Sequence, residues 1–182
     1  MVTAAKPQVG GAVYRAPLGS TLPTSAAEAL AAAYQALGYN TDEGVTRSFD
    51  QDTEVVKAWG GDVVLVLENG KTETFQFSML DAHSVEALKM VNGDANVTGS
   101  TLASGISVVS NNDEKGAHIF VIDMIESGNT LHRIVIPNGI VTEIEDITYV
   151  DSEPIAYGVT ITAMADASGN TVYEYFKTAA TT

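Results

Sequence analysis

The stretch Leu131–Ala163, LHRIVIPNGIVTEIEDITYVDSEPIAYGVTITA, constrains the fold more than any other part of the chain. It holds three strand-like runs of β-branched and aromatic residues separated by two short turns. One basic residue, Arg133, stands against five acids. Nothing in it carries a catalytic motif. A β-rich, acidic and chemically inert surface points to a structural role.

The rest of the chain extends this reading. Asp62–Glu68, DVVLVLE, is apolar on both faces between its terminal acids, which predicts a central strand. Thr72–Leu80 alternates, with Phe75, Phe77 and Met79 on one face and Thr74, Gln76 and Ser78 on the other. Trp59-Gly60-Gly61-Asp62 and Asn69-Gly70 both read as hairpin turns, so residues 45–80 predict three strands. Further strands are expected at Thr101–Ser110, Ala117–Glu126, Thr130–Ile136, Ile140–Val150, Ile155–Ala165 and Thr171–Lys177. The separators are Asn111-Asn112-Asp113, Ser127-Gly128-Asn129, Pro137-Asn138-Gly139 and Ser168-Gly169-Asn170. Strands at this spacing predict a sandwich or barrel.

Two helices are expected. Ser25-Ala-Ala-Glu28 has the form of a capping box, Leu30, Tyr34 and Leu37 fall at i, i+4 and i+7, and Gly38 suits the residue after a helix end. A shorter helix is expected over Ser84–Val91, ended by Asn92-Gly93. Residues 1–23, with Pro7, Gly10-Gly11, Pro17, Gly19 and Pro23, read as an extended arm, either disordered or laid against a neighbouring subunit.

Composition limits the chemistry. The 182 residues suffice for one domain with a real core. Nine basic against 23 acidic residues give a net charge of −14, and Ile134–Phe176 contains no Lys or Arg and seven acids. Nucleic-acid affinity comes mainly from basic side chains that displace counterions, so such a surface repels a phosphate backbone. The absence of cysteine excludes disulfides, zinc thiolate sites and cysteine nucleophiles. The opening MVTAAKPQVGGAVYRAP has no apolar core of signal-peptide length, and no apolar run approaches the roughly 18 residues of a membrane span. HExxH, GxSxG, P-loop and GxGxxG patterns are missing. His83, His118 and His132 are scattered, and His118, in an apolar strand, reads as a hydrogen-bonded structural residue. Asp50, Asp52 and Glu54 share a strand face and admit a weak calcium reading, but a calcium loop packs its ligands in a glycine-bearing turn. Glu143 and Glu145 are likewise paired, without the flanking aromatic platform of a glycosidase cleft.

The chain resembles the major tail tube proteins of long, non-contractile phage tails, especially those of actinobacteriophages. The resemblance is carried by KPQVGGAVYRAPLGSTLPT (Lys6–Thr24), VVKAWGGDVVLV (Val55–Val66) and FQFSMLDAHSVEALKMVNGDANVTG (Phe75–Gly99). HRIVIPNGIVTEIEDITYVDSEPIAYGVTITA (His132–Ala163) and GNTVYEYF (Gly169–Phe176) complete it. It implies a mainly β tail tube fold, a β-sandwich or barrel with one or two short flanking helices. Some strands would join an inner barrel shared between subunits. It further implies hexameric rings stacked into a tube that conducts genomic DNA during ejection, a virion protein assembled in the host cytoplasm, with no enzymatic activity and no cofactor. The implied partners are other copies of the chain, the tape measure protein, tail tip and terminator proteins, and tail assembly chaperones. DNA would pass without specific binding, and no membrane is involved. The expected division is an N-terminal arm for inter-ring contacts (1–23), a tail tube domain (24–177) and a C-terminal tail (178–182).

On that expectation the candidate lumen residues are acidic, Asp50, Asp52, Glu54, Glu143 and Glu145, or small and polar, Gly158, Thr160 and Thr162. The alternation Ile155, Tyr157, Val159, Ile161 against Ala156, Gly158, Thr160, Thr162 gives one core face and one smooth face. An outward solvent face is the alternative for each set. Candidate inter-subunit residues are Val13, Tyr14, Leu18 and Trp59. Two other functions stay open: the inner tube of a contractile tail or secretion system, and an acidic β-sandwich binding module using Trp59 as its platform.

Overall fold

Most of the expected strands form, but several join end to end. The structure, a computed structural model, describes residues 2–7 and 12–179. Its strands are β1 (Ala5–Pro7), β2 (Val13–Pro17), β3 (Gln35–Ala36), β4 (Asn40–Lys57), β5 (Val63–Met79), β6 (Val97–Thr98), β7 (Ser107–Val108), β8 (His118–Glu126), β9 (Thr130–Ile144), β10 (Tyr157–Ala163) and β11 (Tyr173–Thr178). One helix, α1 (Val85–Asn92), and a 3-10 turn, Asp94–Asn96, lie between β5 and β6. Gly10-Gly11 and residues 180–182 fall outside the described residues. The expected tail boundary at 178 moves, because Thr178 still pairs with Thr130.

Nine strands form one sheet in the order β3-β2-β8-β9-β10-β5-β4, with β1 beside β8 and β11 beside β9. The long β9 organises it. One edge of β9 pairs with β8, and the other is shared, with β11 along Thr130–Val135 and β10 along Gly139–Ile144. Strands β8 and β9 are central, since HIFVI and RIVI bury both faces. Phe120, Ile122, Ile134 and Ile136 join Phe75, Phe77, Met79, Val159 and Ile161 under α1. On the opposite face Ile119, Val121 and Val135 pack with Ala16 and Tyr34.

Two expected turns are not turns. Pro137-Asn138-Gly139 lies inside β9, where the register with β8 shifts between His118 and Phe120. Proline has no N–H to give a ladder, so it sits at the irregularity. Gly139 is needed for space: a Cβ there would stand 2.8 Å from the Phe120 ring and 2.9 Å from Ile161. Asn69-Gly70 lies inside β5, at a register shift opposite Asp52 and Thr53. Residues 45–80 are therefore two long strands, closed by the expected Trp59–Asp62 turn, with Gly60 and Gly61 at positive φ. Of Thr101–Ser110 only Ser107–Val108 is strand, and Ile140–Val150 is strand only to Ile144. The turns at Ser127–Asn129 and Ser168–Asn170 form as expected. In the second, Asp166 Oδ1 accepts from the backbone of Ser168 and Asn170 at 2.8 and 3.0 Å.

The helix expected from Ser25 does not form, although its local signals act. Glu28 reaches back to the Thr24 N–H at 3.0 Å, and Ala26, Tyr34 and Leu37 are buried. The carbonyls decide the outcome. Arg133, 3% exposed, donates through Nη1 to Ser25 O and Glu28 O at 2.9 and 2.8 Å, while Nε and Nη2 hold both oxygens of Asp123 at 2.6 and 2.8 Å. A buried guanidinium that takes the first-turn carbonyls removes the acceptors a helix would need. The chain then turns to deliver β3, with Leu37 N donating to Val13 O. Helix α1 forms one residue later than expected, with Ser84 Oγ accepting from Ala87 N.

The expected arm is also corrected in part. Residues Val13–Pro17 form a strand in the body of the sheet, registered against Ile122–His118. Arg15 of that strand, 6% exposed, binds Glu86 of α1 at 2.9 Å and Asp94 at 2.5 Å, and His118 Nε2 lies 2.9 Å from Asp94. Burial pushes the Glu86 carboxyl up, but the Lys89 hydrogen bond and the Arg15 charge outweigh it, leaving Glu86 below its ordinary 4.5. Asp94 is likewise raised by burial and lowered more by Arg15 and His118, to below 3.8.

Three outcomes are expected. Arg133→Met should lower stability by about 3–5 kcal/mol in a urea titration, because it leaves Asp123 buried and unpaired; a loss under about 1 kcal/mol would rank the pair with exposed ones. Removing residues 1–23 should abolish folding by circular dichroism, since it deletes β2, rather than leave folded subunits. For the Arg15 cluster, depressed folded-state values mean stability present above pH 4.5 and lost as pH falls through the folded values. The stability gap between wild type and Arg15→Met should therefore narrow on acidification below pH 4.5; a constant gap would refute the linkage.

Candidate functional site: an acidic sheet face and an uncovered hairpin

Cross-strand partners of an antiparallel pair project to the same face. Gly158, Thr160 and Thr162 of β10 stand opposite Ser78, Gln76 and Thr74 of β5, and Thr160 stands opposite Glu143 of β9. Beyond β5, Thr74 and Gln76 face Ser48 and Thr46 of β4, and the face continues through Asp50 and Asp52 to Glu54. Glu145 closes over Gly158: its backbone N–H donates to Gly158 O at 2.9 Å, and its carboxylate accepts from Gln76 Nε2. The sheet thus brings onto one face all eight residues expected at a lumen, from three separate parts of the chain. Their five carboxylates are exposed, and Gly158 is buried beneath Glu145.

No Lys or Arg of these strands shares that face. Arg47, Lys57 and Lys71 occupy the alternate positions. Arg47 binds the buried Glu73 and Glu174 of β11, and its guanidinium lies 4.7 Å from the Phe49 ring centroid. Burial raises the Glu174 carboxyl, but hydrogen bonding and charge from Arg47, with His132, bring it below its ordinary value. The sheet therefore segregates charge: Arg47 and Lys71 pair with Glu73 and Glu174 on one side, and the other side carries acids and no cation. The alternate positions of the paired β10 and β5 bury Tyr157, Val159, Phe75 and Phe77, so this part of the acidic face looks away from the core.

The second feature is an uncovered hairpin. Every residue from Ser48 to Thr72 is exposed. The β4–β5 hairpin projects about 30 Å past the body at ~3.3 Å per residue. Its outer half is apolar: Val55, Val56, Val63, Val64, Leu65, Val66 and Leu67 are all exposed, and Trp59 at the tip is 107% exposed. The run DVVLVLE was expected to be central and buried. Its apolar pattern is real, but the described residues of its own chain do not cover it.

The candidate inter-subunit residues fall apart. Val13 is fully buried within its own chain, so it faces no neighbour. Tyr14 is half-buried against the second core cluster, where burial raises its phenol. Leu18 and Trp59 are exposed. His118 bonds Gly116 O and Asp94, as a structural histidine does. Among the described residues no group of three or more His, Cys, Asp or Glu side chains is placed to hold a metal ion.

A mainly β sheet, one short helix, an anionic face and an uncovered apolar hairpin are features of a subunit made for assembly. The family model for phage tail tube proteins matches residues 4–181. The chain belongs to that family. No curated protein matches it. Tail tube membership makes the chain a structural component of a virion tail that self-assembles into a tube.

Gly158→Val should test how tightly the face is built. A Cβ at Gly158 would stand 2.9 Å from Glu145 Cβ, so the substitution must displace Glu145 from Gln76. The expected cost is about 1–3 kcal/mol by denaturant titration; no measurable loss would show that Glu145 is loosely held.

Proposed function

We propose that the chain forms hexameric rings that stack into the tube of a long, non-contractile tail, and that its acidic face lines the bore through which DNA is ejected. The observation that carries this reading is the single face shared by Asp50, Asp52, Glu54, Glu143, Glu145, Gly158, Thr160 and Thr162, with no cation among them. Like charges on wall and phosphate repel, and no basic side chain is present to exchange for condensed counterions, so DNA moves past without adhering. The small polar residues offer no base-stacking surface.

The hairpin supplies the assembly energy. A two-stranded ribbon is marginal by itself, and an exposed apolar ribbon with a free β4 edge is a template for pairing with another chain. Neighbouring subunits cover it, and the strands of successive copies close a barrel without edges. Tail assembly chaperones keep the free chain from pairing too early, the tape measure protein sets tube length, and tip and terminator proteins bound its ends. Assembly takes place in the host cytoplasm.

Negative-stain electron microscopy of purified, concentrated protein should show hollow tubes or six-fold rings; filaments without a bore would overturn the reading. Tubes carrying Glu143→Lys and Glu145→Lys should form normally yet retain DNA at low salt and release it as salt rises. Retention equal to wild type would move the acidic face to the outside of the tube.

A further inference from the structure

A cleft of about 810 Å³ opens at the start of β4, far from the hairpin tip. Its apolar wall includes Ala12, Val45, Leu80 and Met124, and Tyr39 stands at its mouth. Two polar side chains in it are unsatisfied. Both side-chain polar atoms of Asn40 and the Thr41 hydroxyl are shielded from solvent with no hydrogen-bond partner among the described residues. Such groups cost stability until something pairs with them. The volume is within the range that takes a small-molecule ligand, and so an indole ring.

The chain carries one tryptophan, Trp59, and presents it fully exposed at the hairpin tip. The tip is ordered by its own backbone: Ala58 N donates to Asp62 O at 2.8 Å, and Gly61 N to Ala58 O at 3.0 Å. Charges at tip and cleft are reciprocal. Lys57 and Asp62 flank Trp59, while Asp42 and Glu43 with Lys6 line the cleft. Among the described residues none of these five makes an ion pair. Lys57 ends β4 at the tip, and Lys6 of β1 lines the cleft at the other end of β4.

We propose that the Trp59 hairpin tip of one copy plugs into the Asn40–Val45 cleft of a second copy. Lys57 then meets Asp42 and Glu43, Asp62 meets Lys6, and the indole ring packs on the apolar wall of the cleft. Plug and socket lie at opposite ends of β4, which excludes a contact within one chain along that strand. The contact is head-to-tail, and the strand between plug and socket spans roughly 45–60 Å at 3.3 Å per residue. A buried tryptophan ringed by polar contacts has the form of an interface hot spot. The proposal rests on the tube reading for the identity of its partner, and it adds which surfaces join successive copies.

Because Trp59 is the sole tryptophan, its fluorescence reads the plug directly. On assembly, its emission should shift to the blue and its acrylamide quenching should fall several-fold. The rim variant Asp42→Lys/Glu43→Lys should stay quenchable, and adding Lys57→Glu should restore protection. The chain has no cysteine, so Ala58→Cys with Tyr39→Cys should give a head-to-tail ladder on oxidation, where each single variant stops at a dimer. Protection and a ladder in oligomers that are not tubes would uphold the plug and sink the tube. Tubes whose Trp59 remains fully quenchable, or whose double-cysteine form gives no ladder, would sink the plug and leave the tube. A chain that never buries Trp59 at any concentration overturns the proposal.

Discussion

The buried pair of Arg133 and Asp123 is the constraint on which the body of this protein depends. The two residues are direct partners on β8 and β9, the central strands, and each is almost fully inaccessible. Their charges cancel, and both Nη1 donors are used on the carbonyls of Ser25 and Glu28. A buried charge tolerates only a geometry that satisfies it completely, so the pair specifies more than it stabilises. It fixes the register of the two strands and the course of the segment crossing them. That crossing covers Val121 and Val135 and returns the chain to pair with β2. Arg15 performs the same task on the other side, tying β2 to α1 and to the turn at Asp94.

With the body fixed in this way, the sheet serves two purposes at once. Its central strands are covered on both faces by their own chain. Of its far strands, β10 and the inner part of β5 are covered on one face only, the outer β4–β5 hairpin is covered on neither, and the uncovered face gathers carboxylates and small polar groups. The three cations of β4 and β5 all sit on the alternate positions, where Arg47 and Lys71 neutralise Glu73. That separation is a consequence of strand periodicity: a shift of one residue would carry Arg47 and Lys71 to the acidic side. The bulges opposite Asp52 and within β9 absorb odd residues without disturbing the acidic row.

The apolar runs HIFVI and DVVLVLE look alike as sequence, and both predict burial on two faces. In the structure the first is the centre of the core and the second is open to solvent. The pattern held for the first run, whereas for the second the described residues of the same chain supply no cover. The same limit applies to Asn69-Gly70 and Pro137-Asn138-Gly139. Both have the composition of turns, but long-range pairing held the strands straight and converted them into irregularities. At Ser25–Leu37 the capping residues and the apolar stripe acted locally, and a guanidinium more than a hundred positions away prevented the helix.

Alternation determined the β class, most strands, the core of Phe75, Phe77, Val159 and Ile161, and the two candidate rows of lumen residues, because period-two burial is written in adjacent residues; helix α1 was legible from its own local segment, ended by Asn92-Gly93. Only the tertiary structure decided that those rows share one face, that Val13 belongs to the core, and that Val63–Leu67 lies bare. Those outcomes depend on register and on which strands become neighbours, and both are set by pairings between residues far apart in the chain. The physical reason is that a strand's sequence specifies how much of it must be buried, whereas the partner that buries it is chosen by the whole sheet.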